Sequence, residues 1–299
     1  MPNTINGIEL DMKGKPLKGN AQAWNHNLQK KAAVINDLSC FGRCSLTVTL
    51  PILSAMGIQC CPVPTAIFTN HTGYPSYAWT DYTEHLDDFI CEWKKLGLCF
   101  NAIATGFLGS ARQLDFVRRF LEAFKDENTL VAVDPVMGDD GKLYATYDTE
   151  LAAAMRHLLD VADILTPNLT EACVLAGIPY NPHPSDAELS SLCEQLAARH
   201  TSKVVISGIE RGGDLLNVVY ERGQQSPVFL SERKIGRERS GTGDVFFSVI
   251  LGGAINGLPF VESVRRASAF VARAAAKTEE LGIYEEDGLA FEELLGELQ

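Results

Sequence analysis

Short apolar segments alternate with longer segments of helical character along most of the chain, and this order limits the possible folds more than any other feature. We predict strands at 32–35, 59–63, 102–104, 129–133, 163–165 and 204–206. We predict helices at 45–56, 82–96, 112–125, 149–159, 169–176 and 186–199. Such alternation produces βαβ units and a parallel sheet covered by helices on both faces. The sequence therefore predicts an α/β fold with a largely parallel central sheet.

The C-terminal third changes this pattern. A predicted hairpin at 215–220 and 228–234 leads into SGTGD at 240–244, and the apolar run VFFSVILGGAI follows as a helix packed on both faces. Further helices are predicted at 261–277 and near Phe291. No linker or change of composition interrupts the periodic segments. We therefore expect a polar N-terminal extension over 1–30 and a single domain over 31–299.

The composition excludes several classes of protein. The chain is 46% hydrophobic and 21% charged, as in ordinary globular proteins. Its formal net charge of −12 argues against nucleic acid or an anionic membrane as a partner. No apolar run approaches the roughly 20 residues that span a bilayer, and the N-terminus lacks the layout of a secretion signal. Because the eight cysteines form no CxxC and resemble reduced core thiols, we expect a cytoplasmic protein.

The turn at 240–244 predicts an anion site. The first backbone N–H groups of a helix lack intrahelical partners, and the helix dipole is positive there. A carboxylate beside a bound phosphate is repulsive unless it takes a proton from the group that attacks phosphorus. Asp244 is therefore a candidate base. A plain turn with Asp244 as the helix N-cap explains the motif alone equally well.

Polar residues at the ends of strands are further candidates, because open α/β sheets bind ligands beyond the carboxyl ends of their strands. They are Asp37, Thr105, Asp134, Thr166, Asn168 and Ser207. The clustered carboxylates at 134–141 suit Mg²⁺ with bound phosphate, or form a solvated acidic turn. Asn168 and Glu171 either cap a helix or position hydrated Mg²⁺ near a triphosphate, and both roles can coexist.

Two loops suggest a site for a flat ligand. The loop at 68–74 contains His71 and Thr72 and precedes an aromatic-rich segment, which suits a heteroaromatic ligand better than a sugar. In the loop at 105–110, Phe107 could cover a ring. A structural histidine and a tight strand-to-helix turn are the plainer interpretations.

Taken together, these motifs resemble one family. The set is IFTNHTGY, TGFLGS, DPVMGDDGKLY, TPNLTEA and SGTGDVF, in this order and spacing. It resembles the pyridoxal kinases of the ribokinase-like superfamily over roughly 32–280. The resemblance implies a three-layer sandwich and phosphorylation of the 5′-hydroxymethyl group of pyridoxal, pyridoxamine or pyridoxine by ATP with Mg²⁺. It also implies a homodimer.

The resemblance further implies roles for individual residues. Asp244 would be the base, and Gly241, Thr242 and Gly243 would bind the γ-phosphate. His71 and Thr72 would border the pyridine ring. The residues that would bind the phosphates and the metal are Asp134, Asp139, Thr166, Asn168 and Glu171. Ser207 would also contact the nucleotide. Tyr144 would come from a loop over substrate or nucleotide, the hairpin before SGTGD would reach toward the adenine, and K⁺ could bind near Asp134 and Thr166.

One departure from the family concerns Asp37. Members of the family usually carry a run similar to Gln-Ser-His after the first strand, whereas this chain has Asn36, Asp37 and Leu38. Asp37 therefore falls where the family serine would meet the ring substituents. A carboxylate there could favour the ammonium of pyridoxamine over the aldehyde of pyridoxal.

Two other functions fit the same motifs less well. A hydroxymethylpyrimidine kinase of the same superfamily also phosphorylates a hydroxymethyl group on a nitrogen heteroaromatic, but the NHTGY segment argues against it. A non-catalytic protein that binds B6 vitamers would carry a damaged GTGD or metal set, and both are intact here.

Overall fold

The computed structural model describes residues 4–5, 8–9, 26–144, 147 and 149–299. The strands are β1 (Thr4–Ile5), β2 (Ile8–Glu9), β3 (Lys31–Ser39), β4 (Gln59–Phe68), β5 (Trp79–Asp81), β6 (Ala102–Thr105), β7 (Leu130–Val133), β8 (Gly138–Asp139), β9 (Lys142–Leu143), β10 (Ile164–Leu165), β11 (Lys203–Arg211), β12 (Asp214–Glu221) and β13 (Val228–Arg233). The α-helices are α1 (Leu46–Ala55), α2 (Leu86–Leu96), α3 (Ala111–Phe124), α4 (Thr149–Ala154), α5 (Leu169–Ala176), α6 (Asp186–Leu196), α7 (Thr242–Ile255) and α8 (Phe260–Leu281). Short 3₁₀ helices lie at Thr83–His85, Met155–Asp160, Glu285–Asp287 and Glu292–Leu298. Most of the predicted extension over 1–30 lies outside the described residues.

Nine of the described strands form one sheet in the order β13-β12-β11-β10-β7-β6-β3-β4-β5. Neighbouring strands from β11 to β4 pair in parallel. Strands β12 and β13 pair antiparallel at one edge, as the predicted hairpin requires, and β5 pairs antiparallel at the other. The chain passes from β3 to β4 on one side and then to β6 on the other. The strand order therefore reverses between β3 and β6, which is where open α/β sheets bind ligands.

Helices cover both faces of the sheet. Because successive residues of a strand point to opposite faces, β3 contributes to two separate cores. Ala33 and Ile35 lie in one core with residues of α2 to α6, and Ala32 and Val34 lie in the other with residues of α1, α7 and α8. The three-layer α/β architecture that the sequence predicts is thus confirmed.

Helix α7 is enclosed by its neighbours. Its residues 245–253 are all buried, which confirms the prediction of a helix packed on both faces. A Cβ atom added to Gly252 would lie 2.3 Å from the Met56 sulfur, and one added to Gly253 would lie 2.6 Å from Ser263 Oγ. This close packing against the end of α1 and the start of α8 fixes the position of the turn that precedes α7.

Three strands run several residues past their predicted ends. Strand β3 continues to Ser39, β4 to Phe68 and β11 to Arg211, beyond the predicted ends at 35, 63 and 206. The N–H of Gln59 donates to Lys30 O at 2.9 Å, so alternate N–H groups of β4 point away from β3. Pro62 and Pro64 fall at those alternate positions and leave the ladder with β3 intact. The extension of β3 places the polar residues after Ile35 within the sheet.

Other element ends shift by a few residues. The helix predicted at 149–159 is α4 followed by the 3₁₀ helix at Met155–Asp160, and the helix predicted at 82–96 begins with the 3₁₀ helix at Thr83–His85. In the part of the chain that the structure describes, no helix is both long and apolar enough to cross a membrane.

Candidate active site

The SGTGD turn lies at the N-terminus of α7, as the sequence predicts. Gly241 is the N-cap and has φ +74, and a Cβ atom there would lie 1.8 Å from Arg43 O. A side chain at this position is excluded by both the backbone conformation and the space. Because α7 begins at Thr242, Asp244 is not the N-cap, and that interpretation of the motif is wrong. The N–H groups of 242–244 belong to the first turn of the helix, where they have no intrahelical acceptor.

Asp244 is half-buried in the first turn of α7 and is contacted from outside its own helix. Asn36 Nδ2 donates to Asp244 Oδ1 at 3.5 Å, and the backbone N–H of Ser45 faces the same carboxylate. The pKa of Asp244 is raised to about 7, mainly by desolvation and in part by the nearby charge of Asp37, while the two hydrogen bonds oppose the rise. A carboxylate with such a pKa is suited to accept a proton near neutral pH.

Asn36 is held rigidly and is a site residue that the sequence analysis missed. Its Oδ1 accepts from the N–H groups of Asp37 at 2.9 Å and Phe107 at 2.8 Å. A Cβ atom on Gly106 would lie 2.5 Å from the Asn36 amide, so the end of β6 presses directly on this side chain. Its position at the end of a strand beside the point where the sheet order reverses was the available signal.

Asp37 is buried between two serine hydroxyls. Ser39 Oγ donates to Oδ2 at 2.9 Å, and Ser45 Oγ donates to Oδ1 at 2.5 Å. Burial raises the pKa of Asp37, and these hydrogen bonds oppose the rise. The structure therefore places Asp37 beside Asp244, with both of its carboxylate oxygens already engaged.

A second buried carboxylate lies at the end of β7. Asp134 is 9% exposed and accepts from Thr166 Oγ1 at 3.2 Å. Burial raises its pKa, and the charge of Asp244 raises it further. Thr105 Oγ1, at the end of the neighbouring strand β6, is buried without a hydrogen-bond partner. Buried oxygens of a carboxylate and a hydroxyl that have so few hydrogen-bond partners are suited to bind a cation, which would offset the cost of their burial.

Asn168 and Glu171 form the capping box at the start of α5, which confirms that interpretation of the motif. Glu171 Oε2 accepts from the Asn168 N–H at 2.9 Å, and Oε1 accepts from the Met137 N–H at 3.0 Å. Asn168 Nδ2 donates to Gly138 O at 2.8 Å, which ties the cap to the carboxylate loop. Burial raises the pKa of Glu171 well above its ordinary value, and the charge of Asp134 adds to the effect.

The remaining nucleotide-side residues surround this cap. Ser207 N donates to Pro167 O at 2.9 Å, which sets the middle of β11 beside Asn168. Asp139, the last residue of β8, is exposed, and the exposed Tyr144 follows β9. Among the residues that the structure describes, no three His, Cys, Asp or Glu side chains form a group that could hold a metal ion.

The loop after β4 contacts the SGTGD turn. His71 Nδ1 lies 3.1 Å from Ser240 Oγ and accepts from the Gly73 N–H at 3.1 Å. Burial lowers the pKa of His71. Thr72 is exposed next to it. Phe107, whose backbone N–H donates to Asn36 Oδ1, packs its ring edge-on against the Phe68 ring, with 6.4 Å between the ring centroids.

The structure thus places the predicted residues along one edge of the sheet. The central group is Asn36, Asp37, Ser45, Asp134, Thr166 and Asp244. The NHTGY loop lies on one side of it, and the carboxylate loop with the α5 cap lies on the other. The fold and this site define a small-molecule kinase of the α/β class, with a glycine-rich turn at a helix N-terminus and a half-buried carboxylate beside it.

Comparison with known proteins specifies the family. The model of the phosphomethylpyrimidine kinase family matches residues 50–288, so the chain belongs to that family. A pyridoxal kinase from Arabidopsis thaliana is 34% identical over 209 residues, which cover 67% of this chain and 66% of that protein, or just under two thirds of its length.

Two solved structures are similar over nearly the whole chain. A Bacteroides thetaiotaomicron protein, described as a phosphomethylpyrimidine kinase and solved with pyridoxal, is 37% identical with a TM-score of 0.85, covering 90% of this chain and 96% of that one. A pyridoxal kinase from Lactobacillus plantarum is 29% identical with a TM-score of 0.83, covering 91% and 97%. The resemblance to pyridoxal kinases of the ribokinase-like superfamily and the prediction of a kinase are confirmed.

Proposed function

We propose that this chain transfers the γ-phosphoryl group of ATP to the 5′-hydroxymethyl group of a vitamin B6 vitamer, with Asp244 as the base. The observation that carries the proposal is the position of Asp244, which is half-buried in the first turn of α7 beside a glycine-rich turn suited to bind an anion. The similarity to pyridoxal kinases and the pyridoxal in the Bacteroides structure support the substrate class.

In this mechanism Asp244 accepts the proton of the substrate hydroxyl. The hydroxyl oxygen forms a bond to the γ-phosphorus, the bond from that phosphorus to the bridging oxygen breaks, and ADP leaves with the electron pair. The backbone N–H groups of Gly241, Thr242 and Gly243 donate to the oxygens of the transferred group. Asn36 orients Asp244, because its own amide is fixed by two backbone N–H groups.

The carboxylates at the ends of β7 and α5 would hold Mg²⁺ beside the triphosphate. Asp134 and Glu171 are buried and form no ion pair within the described residues, so a cation would compensate their charge. With exposed Asp139 they would contact the ion partly through water, and the ion would neutralise phosphate oxygens. Asp134, Thr166 and the unpaired Thr105 hydroxyl would also suit K⁺. The nucleotide would contact Tyr144, Thr166, Asn168 and Ser207.

The vitamer ring would lie between the NHTGY loop and β6, bordered by His71, Thr72 and Phe107. Asp37 lies in β3 directly after Asn36, which contacts both Asp244 and Phe107. A carboxylate at this position favours a ligand that carries an ammonium group. We therefore propose pyridoxamine as the preferred vitamer.

A second candidate is phosphorylation of hydroxymethylpyrimidine, which the description of the matching family favours. Steady-state ATP consumption with pyridoxal, pyridoxamine, pyridoxine and hydroxymethylpyrimidine, each with and without Mg²⁺, decides between them. Turnover on a B6 vitamer is expected. Turnover of hydroxymethylpyrimidine alone would support the second candidate function. Binding of a vitamer without turnover would indicate a non-catalytic sensor.

The homodimer rests on the resemblance alone, whereas the cytoplasmic location and the single domain rest on composition and sequence pattern. A homodimer, a cytoplasmic location and one domain over 31–299 stay predictions. Light scattering on the purified chain measures the first, and a mass close to twice 32.6 kDa is expected.

A further inference from the structure

Ser45, which precedes α1, has a backbone conformation that is unusual for a residue with a side chain. Its φ is +53 and its ψ is −133, and the only other non-glycine residue with positive φ in the described part of the chain is Asp140. This region of backbone space is normally occupied by glycine. Ser45 is also the N-cap of α1, but its side chain makes no capping hydrogen bond. The conformation therefore serves a contact outside the helix.

Four hydrogen bonds hold Ser45 in this conformation. Its Oγ donates to Asp37 Oδ1 at 2.5 Å. Its carbonyl oxygen accepts from the N–H groups of Val48 and Thr49, each at 3.1 Å, and from Thr49 Oγ1 at 3.3 Å. Ser248 Oγ of α7 donates in turn to Thr49 Oγ1 at 2.9 Å. The residue is thereby tied to β3 on one side and to α7 on the other.

This arrangement sets the direction in which the Ser45 N–H points. With φ positive, the N–H faces the carboxylate of Asp244, while the hydroxyl holds the neighbouring carboxylate of Asp37. One residue thus contacts two carboxylates, the buried Asp37 and the half-buried Asp244, through different groups. The chain before Ser45 is also closely packed against the start of α7, because a Cβ on Gly241 would collide with Arg43 O.

We propose that Ser45 is a positioning residue, whose hydroxyl bond to Asp37 maintains the positive-φ backbone that directs its N–H at Asp244. The proposal rests on the proposed function insofar as Asp244 is the base. Without the hydroxyl, a residue with a Cβ relaxes toward negative φ and withdraws the N–H from Asp244. Glycine lacks the hydroxyl as well but adopts the same φ without strain.

The test compares Ser45→Ala with Ser45→Gly, because both lose the hydroxyl and alanine alone keeps the strain. In Ser45→Ala we expect kcat to fall about tenfold to a hundredfold, as for a misplaced catalytic group, with KM for vitamer and ATP changed little. Ser45→Gly should recover most of that loss and melt at a higher temperature than Ser45→Ala. Ser39→Ala is the matched control, since it removes the other hydroxyl on Asp37 without touching the Ser45 backbone, and its kcat should fall less than that of Ser45→Ala.

Equal kcat in Ser45→Ala and Ser45→Gly, or no loss in Ser45→Ala, would overturn the proposal. If Ser45→Ala does not fold, Ser45→Gly decides the matter, because a large fall of its kcat would show that the hydroxyl and not the backbone conformation is required. If the proposed function is wrong, the wild-type protein will turn over none of the substrates, and this result separates that failure from a failure of the Ser45 proposal. In that case the melting temperatures still decide whether the hydroxyl maintains a strained backbone: Ser45→Gly above Ser45→Ala supports it, and equal values contradict it.

Discussion

His71 Nδ1 lies 3.1 Å from Ser240 Oγ, and this contact joins the loop after β4 to the turn that begins α7. The Gly73 N–H also donates to Nδ1, so this nitrogen is an acceptor and the ring proton is on Nε2. Burial lowers the pKa of His71, which agrees with a neutral ring. The proposed vitamer loop and the proposed phosphate turn are therefore mechanically connected.

Replacement of His71 tests this connection. In His71→Ala the two loops lose their shared acceptor, and we expect kcat/KM for the vitamer to fall about tenfold to a hundredfold while KM for ATP changes little. His71→Asn keeps an acceptor near the position of Nδ1 and should recover part of the loss. Steady-state kinetics on both variants give the answer. Wild-type kinetics in His71→Ala would show that the contact has no functional role.

Asn36→Asp tests whether Asn36 contacts the base in solution. The substitution adds a negative charge within hydrogen-bond reach of Asp244, whose pKa it should raise because a like charge disfavours ionisation. The acidic limb of the pH profile of kcat/KM should move to higher pH by about one unit or more. Asn36→Ser, which adds no charge, is the control. An unchanged acidic limb in Asn36→Asp would show that Asn36 does not contact the group whose titration sets this limb.

Asp37→Asn tests the proposed vitamer preference. The amide keeps one acceptor oxygen, for Ser39 or Ser45, and presents an NH2 donor to the other hydroxyl. Because the substitution removes the charge, the preference for pyridoxamine over pyridoxal should decrease. The ratio of kcat/KM for the two vitamers, measured in wild type and variant, is the readout. Equal ratios for wild type and variant, with similar values for both vitamers, would rule the preference out.

The raised pKa of Asp244 also predicts how stability depends on pH. The ordinary pKa of 3.8 applies to the unfolded chain, and the folded value is about 7. Between these values the folded state holds the proton more tightly, so this group makes the free energy of unfolding fall as pH rises. Asp244→Asn cannot ionise. In the absence of added metal, its stability relative to wild type should increase from pH 5 to pH 8, by up to a few kcal/mol.

Melting temperatures of wild type and Asp244→Asn across this pH range measure the effect. Ser231→Ala, an exposed substitution on β13, controls for the general pH dependence of the fold. A constant difference between Asp244→Asn and wild type at all pH values would mean that Asp244 titrates normally in the folded state.

The sequence predicted those features that follow from local pattern and from the order of strands. Asp134 and Thr166 lie at one edge because parallel strands end together, and that inference needs no side-chain detail. Ser207 is level with Asn168, although β11 continues beyond it to Arg211. The capping box of Asn168 and Glu171 is a local hydrogen-bond pattern with a fixed spacing, so it too was visible.

The roles of Asn36 and Ser45 could not be predicted in the same way. Pro62 and Pro64 hid the full length of β4 in the sequence. The predicted end of β3 was also too early, so Asn36 was expected to precede a loop. Its function depends on contacts with Phe107 and Asp244, which are distant in sequence. The positive φ of Ser45 depends on Asp37 and the packing around α7, because serine itself disfavours that conformation.

The assignment of Asp244 as the base is tested most directly by the kcat of Asp244→Asn with ATP, Mg²⁺ and the best B6 vitamer. We predict a fall of about 10² or more, because loss of general base catalysis is of that order, while KM values and far-UV circular dichroism stay close to wild type. A kcat within a few fold of wild type, in a folded variant, would contradict the mechanism and assign the proton transfer to another group.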